Sequence, residues 1–205
     1  MKNKPLLAFS VLLLCNTISS AQDSAIVKKK YITTHSKNAT ITLDGKPDED
    51  AWNTVEFGGD FTQYQPYEGK APTQPTQFKI LYDDRYLYVA YWVHEVSAVS
   101  IIKRMGRRDE FPGDWVEINI DSYNDKRTGF SFTTAVSGVR SDELISDNGN
   151  NWDVTWKPIW FAKTNVHEKG WTAEIKIPFS QLRDGNEKEK IWGIQIMRRL
   201  FRKEE

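Results

Sequence analysis

Tryptophan supplies the most distinctive chemistry available to this chain of 205 residues. The sequence holds 8 Trp, 8 Tyr and 10 Phe, and aromatic residues make up 13% of it. A core of this size has room for only part of that aromatic surface. The remainder predicts a surface that stacks against a partner.

Three of the tryptophans, Trp152, Trp156 and Trp160, recur at every fourth position. In a β-strand this even spacing places all three on one face, about 13 Å apart along the strand. Pro158 disfavours a helix here. We predict stacking by Trp156 and Trp152, with Trp115 as a further candidate because its strand neighbours on that face are polar. The alternative is that these rings belong to the core.

Charged residues precede Trp115 and form a predicted loop. Such side chains can hydrogen-bond hydroxyl groups in pairs, although a simply solvated loop is the alternative. We predict Arg104 and Glu117 as the polar contacts of the site. The charged loop residues are Arg104, Arg107, Arg108, Asp109 and Glu110.

Carboxylates suitable for acid–base catalysis occur around the same strand, at Asp114, Glu117 and Asp121. Glycosidic bond hydrolysis uses two facing acids about 5–9.5 Å apart. Glu117 and Asp121 share a strand face but lie about 13 Å apart along it. We therefore expect no catalysis in this chain, and any glycoside hydrolase activity would belong to an attached domain.

A segment rich in side-chain oxygens, predicted as a loop, spans residues 142–153. Calcium takes six to eight oxygen ligands, but the spacing matches no EF-hand, and a plain polar loop is the alternative. If calcium binds, we expect a structural site with Asp147, Asn150 and Asp153 as ligands. Beyond that possible calcium, the sequence predicts no cofactor.

The balance of positive and negative residues argues against nucleic acid and anionic membrane surfaces as partners. The chain has 28 Lys+Arg and 28 Asp+Glu, so its formal net charge is zero. Binding to nucleic acid needs a clustered positive excess, and a polybasic membrane surface does too. We therefore expect no nucleic-acid partner.

The N-terminus has the layout of a secretory signal peptide. Lys2 and Lys4 precede an apolar run that is too short to span a membrane. Small residues up to Ala21 predict cleavage there, so residues 1–21 are the signal and 22–39 a linker. A lipoprotein signal at Cys15 is the alternative. We expect export to the periplasm, outer membrane or extracellular space.

The remaining residues, 40–205, are patterned almost entirely as strands. Apolar and polar residues alternate over Trp115–Asp121 and Gly170–Ile177, and turn signals separate the strands at near-regular spacing. We predict an all-β, antiparallel, jelly-roll-like β-sandwich with one or two short helical turns. The chain still has a strand pattern near its end, so we expect a further part to follow.

Four sequence blocks, in order, resemble carbohydrate-binding modules of family 9. The resemblance covers residues 40–199 and implies a β-sandwich that binds sugars, in some members with structural calcium. Indole rings stack on the apolar face of sugar rings, so the predicted partner is a polysaccharide or oligosaccharide, linked to polysaccharide breakdown. The blocks are Ile41–Trp52, Ile80–Val89, Asp114–Asp121 and Gly170–Pro178.

The chain also resembles the N-terminal module of large secreted or outer-membrane bacterial proteins. The Arg108–Phe111 turn, the pair Trp152 and Trp156, and the Arg198–Arg199 ending carry this likeness. It leaves an alternative open, in which the chain is a structural docking domain that binds protein or no glycan. The same likeness implies a C-terminal membrane barrel, or else a catalytic domain, in the same polypeptide.

Overall fold

Ten β-strands form two sheets in the computed structural model, which describes residues 28–37, 40–183 and 191–205. The predicted signal peptide, residues 1–21, lies outside the described residues, as does part of the linker. The strands are β1 (Thr34–His35), β2 (Thr76–Tyr82), β3 (Tyr86–His94), β4 (Trp115–Asp121), β5 (Gly129–Ala135), β6 (Arg140–Ser146), β7 (Asn151–Asp153), β8 (Phe161–His167), β9 (Gly170–Pro178) and β10 (Gly193–Arg199).

The first sheet has the strand order β1-β2-β3-β9-β8 and the second β10-β4-β5-β6-β7. All neighbouring strands are antiparallel except β1 and β2, which pair in parallel. The described parts of the chain contain five short 3-10 turns, more than the one or two predicted, and no other helical element. One of them, Asp50–Thr54, carries the buried Trp52. The predicted antiparallel β-sandwich is confirmed.

The hydrophobic core between the sheets follows from the alternation along each strand. In β4, Val116, Ile118 and Ile120 point inward and are fully buried. The central strand β3 is apolar on both faces, because Tyr88 and Ala90 pack on its outer side against the segment that carries Trp52. The outer side of the first sheet is therefore covered, whereas polar side chains line the outer side of the second.

Two local predictions are wrong. Residues 40–43 belong to the region patterned as strands but form no strand; the turn that follows them packs on β9, where Asp44 and Gly45 donate backbone N–H bonds to the Glu174 carboxylate. The segment 142–153 is not all loop either, since β6 runs to Ser146. Pairing with β5 from Arg140 to Ile145 makes it a strand.

The ten strands all lie in one structural unit, Tyr31–Glu205. In the parts of the chain that the structure describes, no helix has both the length and the apolar character needed to cross a membrane.

Candidate functional site

The outer side of the second sheet presents a row of polar side chains on four adjacent strands. Strand alternation explains it, since every residue between the inward-pointing apolar ones of β4 points outward. We call this surface the polar face. It consists of Trp115, Glu117 and Asn119 on β4, Ser131 and Thr133 on β5, Ser141 and Glu143 on β6, and Gln195 and Met197 on β10.

Glu117 is at the centre of the polar face and is only 5% exposed. Its Oε1 accepts a hydrogen bond of 2.8 Å from Asn119 Nδ2, and its Oε2 accepts one of 2.6 Å from Thr133 Oγ1. Burial raises the pKa of Glu117, although both hydrogen bonds act to lower it. The two bonds fix the orientation of the carboxylate, which retains lone pairs for a ligand.

Three buried oxygens on the polar face have no hydrogen-bond partner among the described residues: Asn119 Oδ1, Ser131 Oγ and Ser141 Oγ. Buried polar atoms in proteins are almost always hydrogen-bonded. These three atoms lie on one face of one sheet, and the hydroxyl groups of a ligand bound there are candidate partners for them.

Aromatic rings border the polar face where β4 begins. Trp115 is partly exposed, and its ring lies 5.9 Å from that of Phe111, which is itself exposed. Across the strand pair, Arg199 is opposite Trp115. Two residues later, Phe201 carries the guanidinium of Arg104 at 4.7 Å from its ring centroid. An aromatic platform and two cations therefore border this end of the face.

The structure thus brings Trp115 and Glu117 onto one face, with Arg104 at its edge through Phe201. Sequence reasoning missed several members of the polar face. The alternation along β4 was a signal for Asn119. Thr133 needed the register between β4 and β5, in which it lies opposite Glu117, and no local pattern reports that register.

The expectation that Trp152, Trp156 and Trp160 share one strand face is wrong. β7 ends at Asp153, so only Trp152 lies in a strand. Trp152 lies opposite Ile145 on the outer side of the second sheet and is 41% exposed. The chain then turns, because Asp153 Oδ1 accepts hydrogen bonds from the backbone N–H and the hydroxyl of Thr155.

The other two rings pack beneath the second sheet. Trp156 lies against Phe130 and Phe132, with ring centroids 5.1 and 5.6 Å apart. Trp160 is 1% exposed and donates from Nε1 to Asp142 Oδ1 at 2.8 Å. Trp156, which was predicted to stack on a ligand, is half-buried and packs against these inward-pointing phenylalanines at the edge of the core.

The two other carboxylates considered for catalysis, those of Asp114 and Asp121, form hydrogen bonds with backbone N–H groups. Asp114 is fully buried and accepts N–H bonds from Ile102 and Phe201. Asp121 accepts N–H bonds from Asp125 and Lys126 and so closes the turn after β4. Both carboxylates therefore have positioning roles in the fold.

The proposed calcium ligands do not fit a metal site. Asp153 is occupied with Thr155, and the backbone carbonyl of Asp147 accepts bonds from the N–H and the side chain of Asn150. Nowhere in residues 28–37, 40–183 and 191–205 do three or more His, Cys, Asp or Glu side chains come together in a way that could hold a metal ion. We derive no role for calcium.

Comparison with known proteins supplies an independent result. The model of the family described as "Carbohydrate family 9 binding domain-like" matches residues 43–199. That range runs from the turn before the buried Trp52 to the last residue of β10, and so includes every strand of the polar face. No curated protein matches the chain in sequence.

Solved structures share the fold. A family 9 carbohydrate-binding module from Caldicellulosiruptor kristjanssonii, in complex with glucose, is 18% identical with a TM-score of 0.56, over 80% of this chain and 76% of that one. Its complex with cellotriose gives the same identity and score, over 80% and 75%. A putative carbohydrate-binding protein from Bacteroides uniformis is 18% identical with a TM-score of 0.56, over 82% and 84%. At this identity the likeness concerns the fold.

Proposed function

Because this chain belongs to the carbohydrate family 9 binding domain-like family, we propose that it binds a polysaccharide or oligosaccharide without catalysing a reaction on it, and that the polar face is where it does so. The observation that carries the assignment to this face is the fixed carboxylate of Glu117, held between Asn119 and Thr133 next to the partly exposed ring of Trp115.

The chemistry of the face suits a sugar. A pyranose ring has an apolar side that stacks on an aromatic ring and hydroxyl groups that donate to carboxylate and amide oxygens. Trp115 supplies the ring, and Glu117 supplies acceptors that are already oriented. Preorganised acceptors reduce the entropic cost of binding. Arg104 is proposed as a donor at the edge of the same site.

The ligands of the structural neighbours suggest which sugar to test first. The Caldicellulosiruptor module has been solved with glucose and with cellotriose, so a β-linked glucan is the first candidate for this chain, and a xylan the second. Trp152 is exposed on the same side of the sheet. We propose it as a second stacking residue, farther from Glu117.

Isothermal titration with cellotriose and xylotriose tests the proposal. We expect saturable binding, and a loss of about tenfold for Glu117→Gln, because one good polar contact at a binding site is worth about 1.4 kcal/mol. The matched control is Glu68→Gln, which makes the same chemical change at an exposed position before β2. Equal affinities of wild type and Glu117→Gln would remove the site from this face.

We also propose that the chain is exported and that a membrane barrel or a catalytic domain is attached to it. The charged, apolar and small-residue pattern of residues 1–21 supports export. Cell fractionation with and without residues 1–21 tests it. We expect the shortened chain to stay in the cytoplasm, and equal distribution of both forms would refute export.

A further inference from the structure

A cleft of about 270 Å³ opens at the far end of the polar face, beyond Asn119. Its volume is close to the lower limit of about 300 Å³ for small-molecule sites, which suits one ring-sized group. Gly193 lies opposite Asp121 and Gly129 opposite Ile145. Because Gly193 and Gly129 have no side chain, space is left between these strands for the cleft.

One wall of the cleft is a turn held rigidly by carboxylates. Asp125 Oδ1 accepts the N–H groups of Arg127 and Thr128, and Asp121 accepts that of Lys126. Lys126 and Arg127 line the cleft and are exposed, and neither forms a salt bridge within 4.0 Å among the described residues, although the N–H bond from Thr128 and, to a smaller degree, the charge of Arg127 lower the pKa of Asp125. They are therefore available as donors to a ligand.

Asn119 connects the cleft to the centre of the polar face. It lines the cleft, is 7% exposed, and donates from Nδ2 to Glu117 Oε1. Its Oδ1 has no partner among the described residues. Gln195, opposite Asn119 on β10, also lines the cleft. The side-chain amide of Asn119 thus borders both the Glu117 carboxylate and the cleft. A hydroxyl group of a ligand can bind at either place.

We propose that this cleft is a second saccharide subsite, and that the chain binds an oligosaccharide of at least three units laid along β4. The inference rests on the proposed function. From Glu117 to Asp121 the strand rises about 13 Å, which is longer than a single pyranose ring. The mixture of amides, cations and the apolar Ile145 suits a sugar ring, which has both polar and apolar surface.

Titration with glucose, cellobiose, cellotriose and cellotetraose tests the subsite. For the wild-type chain we expect cellotriose to bind about tenfold more tightly than glucose, which is the gain from one added subsite. Gly129→Gln places a side chain on the cleft floor, where a Cβ would lie 3.2 Å from the Ile120 carbonyl. We expect this variant to bind glucose as the wild type does and to lose the tenfold gain for cellotriose.

Two further variants keep the test independent of the folding of Gly129→Gln. Gln195→Ala removes an exposed amide of the cleft, and we expect the gain for cellotriose to fall at least threefold. Lys163→Gln, at an exposed position on the first sheet, is the control and should retain the whole gain.

The outcomes separate the two proposals. Equal affinity for glucose and cellotriose in the wild type, or an undiminished gain in both cleft variants, would overturn the second subsite and leave the proposed function intact. Absence of binding to all four sugars, together with absence of binding to xylotriose, would overturn both. A gain that disappears only in the cleft variants supports the subsite.

Discussion

The side-chain amide of Asn119 donates a hydrogen bond of 2.8 Å to the carboxylate of Glu117, two residues earlier on the same face of β4. Because Asn119 is itself nearly buried, the bond locks an acceptor group in place before any ligand arrives. This relationship makes the outer side of the second sheet, and not that of the first, the face on which we expect a sugar.

Trp115→Ala should weaken binding of cellotriose by about tenfold or more, since truncating an aromatic anchor commonly costs over 1.4 kcal/mol. Isothermal titration measures the change, and urea denaturation checks that the variant is folded. Tyr64→Ala, at an exposed ring on the loop before β2, is the control and should bind as the wild type does. An affinity of Trp115→Ala equal to that of the control would contradict stacking on Trp115.

Trp156→Ala should lower the free energy of unfolding by about 3 kcal/mol, because a large aromatic side chain packed on Phe130 and Phe132 is removed. We expect the affinity for cellotriose to stay within twofold of wild type at a temperature where both are folded. Urea denaturation and titration give the two quantities. A tenfold loss of affinity with unchanged stability would return Trp156 to the binding site.

Trp160→Phe should cost about 2 kcal/mol of stability, which is typical for losing a hydrogen bond to a buried charged group. Asp142 Oδ1 loses the Nε1 donor, and the smaller phenyl ring also loses some packing at this buried position. Burial raises the pKa of Asp142, and the hydrogen bond from Trp160 acts against that rise by favouring the ionised carboxylate. If thermal and urea denaturation of the variant match those of wild type, this bond does not stabilise the fold.

Stability should fall as the pH rises through the titration range of Glu174. Burial raises the pKa of Glu174 from 4.5 to about 7, so the folded chain holds this proton more tightly than the unfolded one. The contribution is complete below the unfolded value of 4.5 and is lost as the pH passes about 7.

Glu174→Gln removes that titration. The free energy of unfolding, measured in urea at about pH 5 and at about pH 8, should decline more for the wild type than for the variant. An equal decline in both would show that Glu174 does not titrate in this window.

Local alternation was enough to predict the strands with one apolar face, and it explains why β4 was found with its inward Val116, Ile118 and Ile120. Trp156 was misplaced because its position depends on the turn at Asp153 and on contacts with Phe130 and Phe132, more than twenty residues earlier. The strand β8 is harder to predict from alternation, because it lies at the edge of its sheet and is largely exposed, which leaves it a weak apolar pattern.

The proposed binding site was predictable only in part for the same reason. Glu117 and Trp115 lie on one strand, and alternation pairs them. Thr133 and Gln195 join them through strand pairing across the sheet, and that register depends on the whole sandwich. Arg104 was recognised by its charge, but its packing on Phe201 depends on the chain after β10.

The location of the sugar on the polar face is tested most directly by a ¹H–¹⁵N NMR titration of the folded chain with cellotriose. We predict that the largest shift changes fall on the backbone amides of residues 115–119, 131–133 and 195–197, with little change on β2 and β3 of the first sheet. Shift changes concentrated on the first sheet, or none at millimolar cellotriose and xylotriose, would contradict it.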